Sequence, residues 1–388
     1  MHVAFVIFRA EPSRGGAERY VDQLGHALIA RGHRVTALAS ALGELGELGG
    51  VKIAAGGMTR TGRYRRFLAN LDAHLARQRY DVVHACLPVK QCDVYHAHAG
   101  LEATSLSESH RIKTTLAGQA TSMLGHRVNR KRRAFAAVEA TLLNGPTPPF
   151  TICLSDRERL NAERLFPSAK AKLVTLHSAP DDAKFSDGDL KGRRKHARRQ
   201  LGIGADQPVF LFVGQDFRRK GLAIAIRALG QLRDTHAVLY VLGSGDIAKY
   251  SKLAMQSHVL GRVLFAGSVG DISTFVAAAD ALVLPSRYEP FGMVAVEAML
   301  MGVPPIISAV SGASEVVADD RTGYVIADPD DVPAWTVAMT RVLAPATRGR
   351  LSAACIAERG RFSYAAHVDA IEALHRRAAA GRSPAQGR

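Results

Sequence analysis

Two carboxylates eight residues apart, Glu289 and Glu297, stand in the segment Ser286-Arg287-Tyr288-Glu289-Pro290-Phe291-Gly292-Met293-Val294-Ala295-Val296-Glu297-Ala298-Met299. A carboxylate accepts two hydrogen bonds from vicinal hydroxyls, so the pair suits a hydroxyl-rich ligand. The amides of Phe291, Gly292 and Met293 fall at the start of the helical pattern, where an anion is welcome. A second group is Val213-Gly214-Gln215-Asp216-Phe217-Arg218-Arg219-Lys220-Gly221. Three cations fixed in one loop offset the charge that develops when a bond to a diphosphate breaks, without a metal. A third is Gly15-Gly16-Ala17-Glu18-Arg19. Glycines at a strand-to-helix turn admit close backbone approach, and a helix N-terminus adds amides suited to phosphate. A fourth is His96-Ala97-His98, which suggests a metal by type, but no third ligand follows at a sensible spacing. The plainer readings are a helix with two incidental glutamates, a solvated charged turn, a structural glycine turn and a satisfied histidine at a strand end.

These residues need elements to hold them. Short apolar runs at Val3–Phe8, Arg34–Ser40, Asp81–Leu87, Thr151–Leu154 and Lys172–Leu176 read as strands. Helical periods lie between them, as in Ala17–Ala30, where Tyr20, Val21, Leu24, Ala27, Leu28 and Ala30 form one stripe. After a polar, basic interruption the pattern restarts at Val209–Val213, Ala237–Leu242, Arg262–Ala266, Ala281–Leu284 and Pro305–Ser308. Alternating strand and helix implies an α/β protein with parallel sheets and right-handed crossovers. The expectation is two doubly wound, Rossmann-like domains facing a central cleft. One spans 1–178 and takes back a closing helix at 362–380. The segment 179–205 reads as a linker, with Lys191–Arg199 solvated, and 206–361 as the second domain. Ligands in such folds sit at the carboxyl ends of strands, and each group above follows a strand.

Charge is distributed unevenly. Residues 1–180 carry 25 Lys and Arg against 14 Asp and Glu, whereas 206–361 carry 15 of each. A basic half is an electrostatic address for an anionic partner. Aromatics make up only 6%, and basic residues are not interleaved with them, which argues against nucleic acid. No apolar run reaches the ~18 residues that span a bilayer. The opening strand lacks a basic n-region and a cleavage site, so a cytoplasmic location is expected. Cys86, Cys92, Cys153 and Cys355 show no Cys-x-x-Cys or zinc spacing and are expected to be free thiols.

The chain resembles the retaining, GT-B-fold glycosyltransferases of family 4. Glu289-x7-Glu297, Gly15-Gly16 and Arg219-Lys220-Gly221 carry the resemblance, with Leu242-Gly243-Ser244-Gly245, Ala278-Ala279-Asp280 and Ser311-Gly312-Ala313-Ser314-Glu315. Within that family it is similar to the glucosyltransferases of lipopolysaccharide core assembly, through Asp93-Val94-Tyr95 and Asp216-Phe217-x-Arg219-Lys220-Gly221. The resemblance implies that 206–361 binds a nucleotide sugar and that 1–178 is the acceptor side. Glu297 would hold the ribose hydroxyls. Glu289, with the amides of Phe291 and Gly292, would hold the transferred sugar. Arg219 and Lys220 would grip the diphosphate, and Gly15 and Gly16 would approach it. Main chain of Arg262–Gly267 would border the base. One of His96 and His98 would face the reacting sugar or acceptor. It also implies a hexose transferred, from UDP-glucose, to a lipid-linked saccharide such as lipopolysaccharide core, with no cofactor or divalent metal. GDP-mannose or another UDP-hexose as donor, a nucleotide-sugar epimerase and a non-catalytic nucleotide-sugar-binding protein are the alternatives. Two departures stand out: Gln215 occupies a position where many members have Arg, and the stretch after Tyr95 is rich in histidine.

Basic clusters at Arg60, Arg63, Arg65, Arg66 and at Arg127, Arg130, Lys131, Arg132, Arg133 belong to the acceptor half. Leu106, Ile112, Leu116, Met123 and Leu124 lie beside the second, the composition of an interfacial segment. The expectation is a peripheral enzyme of the cell envelope, resting on the anionic inner face of the cytoplasmic membrane. An ordinary solvated helix face is the plainer reading.

Overall fold

The computed structural model describes residues 1–12, 15–105, 130–181, 184–185, 188–233 and 236–381. The apolar part of the interfacial segment, from Leu106 to Leu124, and Arg127 lie outside the described residues. The chain forms two compact units, one of Met1–His177 with Ala365–Arg388, the other of Ser178–Tyr364.

The first unit is built on seven strands: β1 (His2–Val6), β2 (Arg34–Ala39), β3 (Gly49–Lys52), β4 (Val82–Ala85), β5 (Val94–His96), β6 (Phe150–Cys153) and β7 (Leu173–Thr175). Their order is β3-β2-β1-β4-β5-β6-β7, and every pairing is parallel. Because both faces are covered by helices, the central strands are apolar throughout, and Val3, Ala4, Phe5 and Val6 are fully buried. The helices are α1 (Gly16–Ala30), α2 (Arg60–Leu75), α3 (Arg130–Leu143) and α4 (Asp156–Leu165). Tyr20, Val21, Leu24 and Leu28 of the expected α1 stripe face the core, whereas Ala27 is half-buried and Ala30, the last residue of the helix, is exposed.

The second unit has six strands: β8 (Val209–Val213), β9 (Val238–Leu242), β10 (Val263–Gly267), β11 (Ala281–Leu284), β12 (Pro305–Ser308) and β13 (Tyr324–Ile326). They run β10-β9-β8-β11-β12-β13, again all parallel. The helices are α5 (Leu190–Gln200), α6 (Leu222–Gln231), α7 (Ile247–Gln256), α8 (Ser273–Ala278), α9 (Met293–Leu300), α10 (Val332–Leu343) and α11 (Pro345–Ala357). The last helix, α12 (Tyr364–Ala380), belongs to the first unit from Ala365 onward. Both sheets are doubly wound, as expected. Among the described residues no helix is long and apolar enough to cross a membrane.

The basic run Lys191–Arg199 is solvated only in part: Lys191, Lys195, His196 and Arg199 are exposed, whereas Arg194 is half-buried and Arg198 buried. It forms most of α5, and Arg198 is 4% exposed. Arg194 and Arg198 donate to the two oxygens of Asp280, at 2.7 and 2.9 Å, and Arg348 lies 3.3 Å from it. Asp280 also accepts from the Val209 amide at 2.8 Å, so one buried carboxylate ties α5 and α11 to the starts of β8 and β11. Removing one member of a buried ion pair costs about 3–5 kcal/mol, because it leaves uncompensated charge. Asp280→Ala should therefore lower the unfolding free energy of this unit by about that amount. Urea titration followed by Trp335 fluorescence reads it, since that indole is buried in the same unit. An unchanged midpoint would show the arginines to be adequately solvated without it.

Candidate active site

In a doubly wound sheet the loops on either side of the strand-order reversal diverge and leave a crevice at the carboxyl edge. In the second unit the reversal falls between β8 and β11. The loop after β8 carries Arg219 and Lys220, and the loop after β11 carries Glu289. The topology thus brings the cation loop and the first carboxylate together. Lys220 donates to Glu289 Oε2, and Arg219 Nη1 lies 3.4 Å from the same oxygen. Arg219 Nη1 also donates to the Tyr288 carbonyl at 2.9 Å, and its amide donates to Asp216 at 3.1 Å. The two loops are stitched by the Arg287 amide on the Arg219 carbonyl at 2.9 Å. Arg287 itself is clamped to Asp330.

Two glycines allow this approach. Gly221 has φ +77°, and a Cβ there would lie 2.0 Å from the Pro285 carbonyl oxygen. Gly292 has φ +94° and caps α9, with Glu289 Cγ and Ser311 Oγ within 3.3 Å of where a Cβ would stand. Only glycine meets both demands.

The site is electrostatically tight. The side chains of Lys220 and Glu289 are 11% and 10% exposed. Burial works against the charge on Glu289, but Lys220 and then Arg219 outweigh it, and its pKa lies below the ordinary carboxylate value. The carboxylate is thus ionised at neutral pH, with cations beside it available to an incoming anion. On α9 every residue is buried except Met293 and Glu297. These are one turn apart and share a face, so the only charged side chain of an apolar helix lies on its one half-buried stripe. The bond of the Gly243 amide to the Gly267 carbonyl, 2.7 Å, joins Leu242-Gly243-Ser244-Gly245 to the end of the Arg262–Gly267 segment. Gln215 accepts from Ser244 Oγ at 2.6 Å, while Arg219 stands beside Glu289.

In the first unit Gly15 caps α1 in extended geometry, and Gly16 is exposed, with open space where a Cβ would stand. The Gly15 carbonyl accepts from the Arg19 amide at 3.1 Å. His96 is the last residue of β5 and is fully buried, while His98 is partly open. Their rings stack at 3.9 Å. Tyr20 packs edge-on against both, at 5.1 and 4.4 Å.

Sequence spacing gave no hint of what lies beneath. His84 on β4 packs 5.7 Å from His96, and its Nδ1 bonds His375 Nε2 on α12 at 2.9 Å. His367 Nδ1 faces the His177 carbonyl at 3.1 Å, which can only accept, so this nitrogen carries the proton. His367 Nε2 then accepts from the Tyr20 hydroxyl at 2.8 Å. Burial pushes all five imidazoles down: His98 and His375 to about 3, His367 to about 4, His84 and His96 well below the usual value. They are neutral at pH 7. Among the described residues no group of three or more His, Cys, Asp or Glu side chains is arranged to hold a metal ion.

Residues 193–355 match the family described as Glycosyl transferases group 1, and residues 14–184 the family described as Glycosyltransferase Family 4. The lipopolysaccharide glucosyltransferase WaaG of Escherichia coli K12 is 27% identical over 337 residues, 85% of this chain and 86% of that protein. The crystal structure of WaaG, a glycosyltransferase involved in lipopolysaccharide biosynthesis, matches with a TM-score of 0.83 at 24% identity, over 95% of this chain and 98% of that one. Anabaena HepE in complex with UDP-glucose matches with a TM-score of 0.72 at 19% identity, over 96% and 98%. The two family matches divide the chain at nearly the same place as the two sheets, and the protein belongs to the GT-B glycosyltransferases, with a family 4 domain followed by a group 1 domain.

Proposed function

We propose that this glycosyltransferase moves glucose from UDP-glucose to a lipid-linked saccharide of the lipopolysaccharide core, with retention of anomeric configuration and no divalent metal. The observation that carries the proposal is the contact of Lys220 and Arg219 with Glu289 where the loops after β8 and β11 meet. In this reading Glu297 takes the ribose hydroxyls, and Glu289 takes hydroxyls of the glucose with the amides of Phe291, Gly292 and Met293. Lys220 and Arg219 leave Glu289 in part to hold the diphosphate. When the bond from C1 to the diphosphate oxygen breaks, negative charge grows on that oxygen. The two fixed cations stabilise it, supplying the charge that a divalent ion provides elsewhere. The acceptor oxygen bonds C1 on the face the leaving group quits, and its proton passes to the departing phosphate oxygen. The names of the Escherichia coli and Anabaena relatives support glucose, UDP and the lipopolysaccharide acceptor.

A thermal-shift screen with UDP, GDP, ADP and CMP, each with and without EDTA, tests the donor. A ligand at a hundredfold excess over its Kd stabilises by about 2.7 kcal/mol. A shift with UDP alone, unchanged by EDTA, is expected, together with radiolabelled glucose transfer to inner-core lipopolysaccharide. A shift with GDP alone redirects the reading to mannose. Binding without transfer makes the chain a nucleotide-sugar-binding protein.

The same proposal puts the enzyme peripherally on the anionic inner face of the cytoplasmic membrane. Arg60, Arg63, Arg65 and Arg66 are exposed on and around α2, beside a fully exposed Met58. Each such cation contributes about 1 kcal/mol near an anionic surface. Flotation with vesicles of anionic lipid should recover several-fold more protein than with neutral lipid, and excess salt should abolish the difference. Equal recovery would remove the membrane assignment.

A further inference from the structure

The turn that carries His98 is held from behind. After β5 the chain makes a tight turn, with the Gly100 amide on the Ala97 carbonyl at 2.8 Å and Gly100 at φ +81°. A helical turn begins at residue 102. Its first amides would ordinarily be free, as a helix N-terminus leaves them. Here they are occupied. Leu101 donates to Glu158 at 2.8 Å, Glu102 to Glu139 Oε1 at 3.1 Å and Ala103 to Glu139 Oε2 at 3.0 Å. Glu139 comes from α3 and is fully buried. It takes a third bond from the Tyr95 hydroxyl at 2.7 Å, and Tyr95 precedes His96 on β5. One carboxylate therefore grips the chain on both sides of His98, three residues before it and four and five residues after.

This arrangement costs burial of a carboxylate, which a structural contact between α3 and β5 does not require, since two apolar side chains would pack as well. What apolar residues cannot do is fix three donors around one turn. Nor could they occupy the first amides of the helical turn, as Glu158 and Glu139 do here. At the α1 end, by contrast, Gly16 stays exposed. We infer that Glu139 is a positioning residue for sugar transfer: through Tyr95 and the amides of Glu102 and Ala103 it sets the place of His98, and it reserves that strand end for an uncharged acceptor hydroxyl. The inference rests on the acceptor-side reading of the first unit proposed above.

The test is Glu139→Gln in the full-length protein, with Tyr95→Phe as a milder second variant that removes one of the three bonds and keeps the ring. UDP binding, transfer from UDP-glucose to inner-core lipopolysaccharide and amide exchange are measured side by side. In Glu139→Gln, exchange at Glu102 and Ala103 should rise at least tenfold, and KM for the acceptor should rise about tenfold. The Kd for UDP should stay within twofold. Tyr95→Phe should move the same quantities less. Faster exchange with an unchanged acceptor KM would make Glu139 merely structural and overturn the inference, as would equal loss of donor and acceptor affinity. If Glu139→Gln does not fold, an unchanged acceptor KM in Tyr95→Phe overturns it. A wild-type protein that binds no UDP and transfers no glucose would instead defeat the proposed function, while the exchange data would still report whether Glu139 holds the turn.

Discussion

Lys220→Ala should cut kcat by about 10²–10³, the loss seen when one preorganised stabiliser of a developing oxyanion is removed. The ammonium is nearly buried against Glu289, so water cannot replace it without reopening the site. Its contribution to the ground state is smaller, because in the free enzyme it is already paired with that carboxylate. The substitution should therefore act mostly on turnover. Arg219→Ala should act in the same direction and less strongly, since its guanidinium is shared with the Tyr288 carbonyl and Asp216. Glu297→Ala should behave differently. It is assigned to a part of the donor that does not react, so the Kd for UDP should weaken about 10–100-fold, the worth of hydrogen bonds to a charged group, with kcat little changed. Single-turnover kinetics at saturating donor, with isothermal titration of UDP, separates the two classes. A Lys220→Ala enzyme with near-normal single-turnover rate would remove the leaving-group assignment. A Glu297→Ala protein with normal UDP affinity would remove the ribose assignment.

Much of this was legible in the chain because the determinants are local. Val209–Val213, Ala281–Leu284 and Pro305–Ser308 are apolar runs bounded by polar turns, and the structure has strands over those residues. Arg219, Lys220 and Glu289 each follow a strand, and the doubly wound order does the rest. The short strands β3, Gly49–Lys52, and β13, Tyr324–Ile326, escaped because neither is an apolar run long enough to stand out. The basic run of α5 looked like a solvated linker because its partner, Asp280, is more than eighty residues away. The histidine cluster and the Glu139 clasp were hidden for the same reason. His84 and His375 are 291 positions apart, and no spacing rule registers a contact made only after the closing helix returns.

That cluster makes acid the first thing the first unit should fail to withstand. An imidazole of ordinary pKa near 6.5 in the unfolded chain, held near 3 or 4 in the fold, binds fewer protons when folded. Stability is then complete above about pH 6.5 and falls as pH drops through the window between the two values. His375, held near 3, and His367, held near 4, are both buried. Together they should cost the first unit about 4 kcal/mol at pH 5 and about 6 kcal/mol at pH 4, because each tenfold difference in proton affinity between fold and unfolded chain is worth about 1.4 kcal/mol. That is a large part of the roughly 5–15 kcal/mol that holds an ordinary domain together. His84, His96 and His98 act in the same direction. Glu372, which holds His33 at 3.1 Å and sits with Arg31 and Arg376, is pulled down to about 2 and adds to the loss below pH 4.5. Glu139, pushed up to about 7 by burial, opposes it, because the fold binds that proton more tightly than the unfolded chain. The second unit has no such cluster among its described residues, and it holds the chain's tryptophan, Trp335. Acid titration should therefore show far-UV circular dichroism falling near pH 4–5, before Trp335 fluorescence changes. Replacing the bonded pair as His84→Leu with His375→Leu removes two of the titrating groups and should move the first transition to lower pH, whatever it does to stability at pH 7. A single transition seen equally by both probes, with a midpoint that the double substitution leaves unmoved, would show that these histidines reach water before the unit opens.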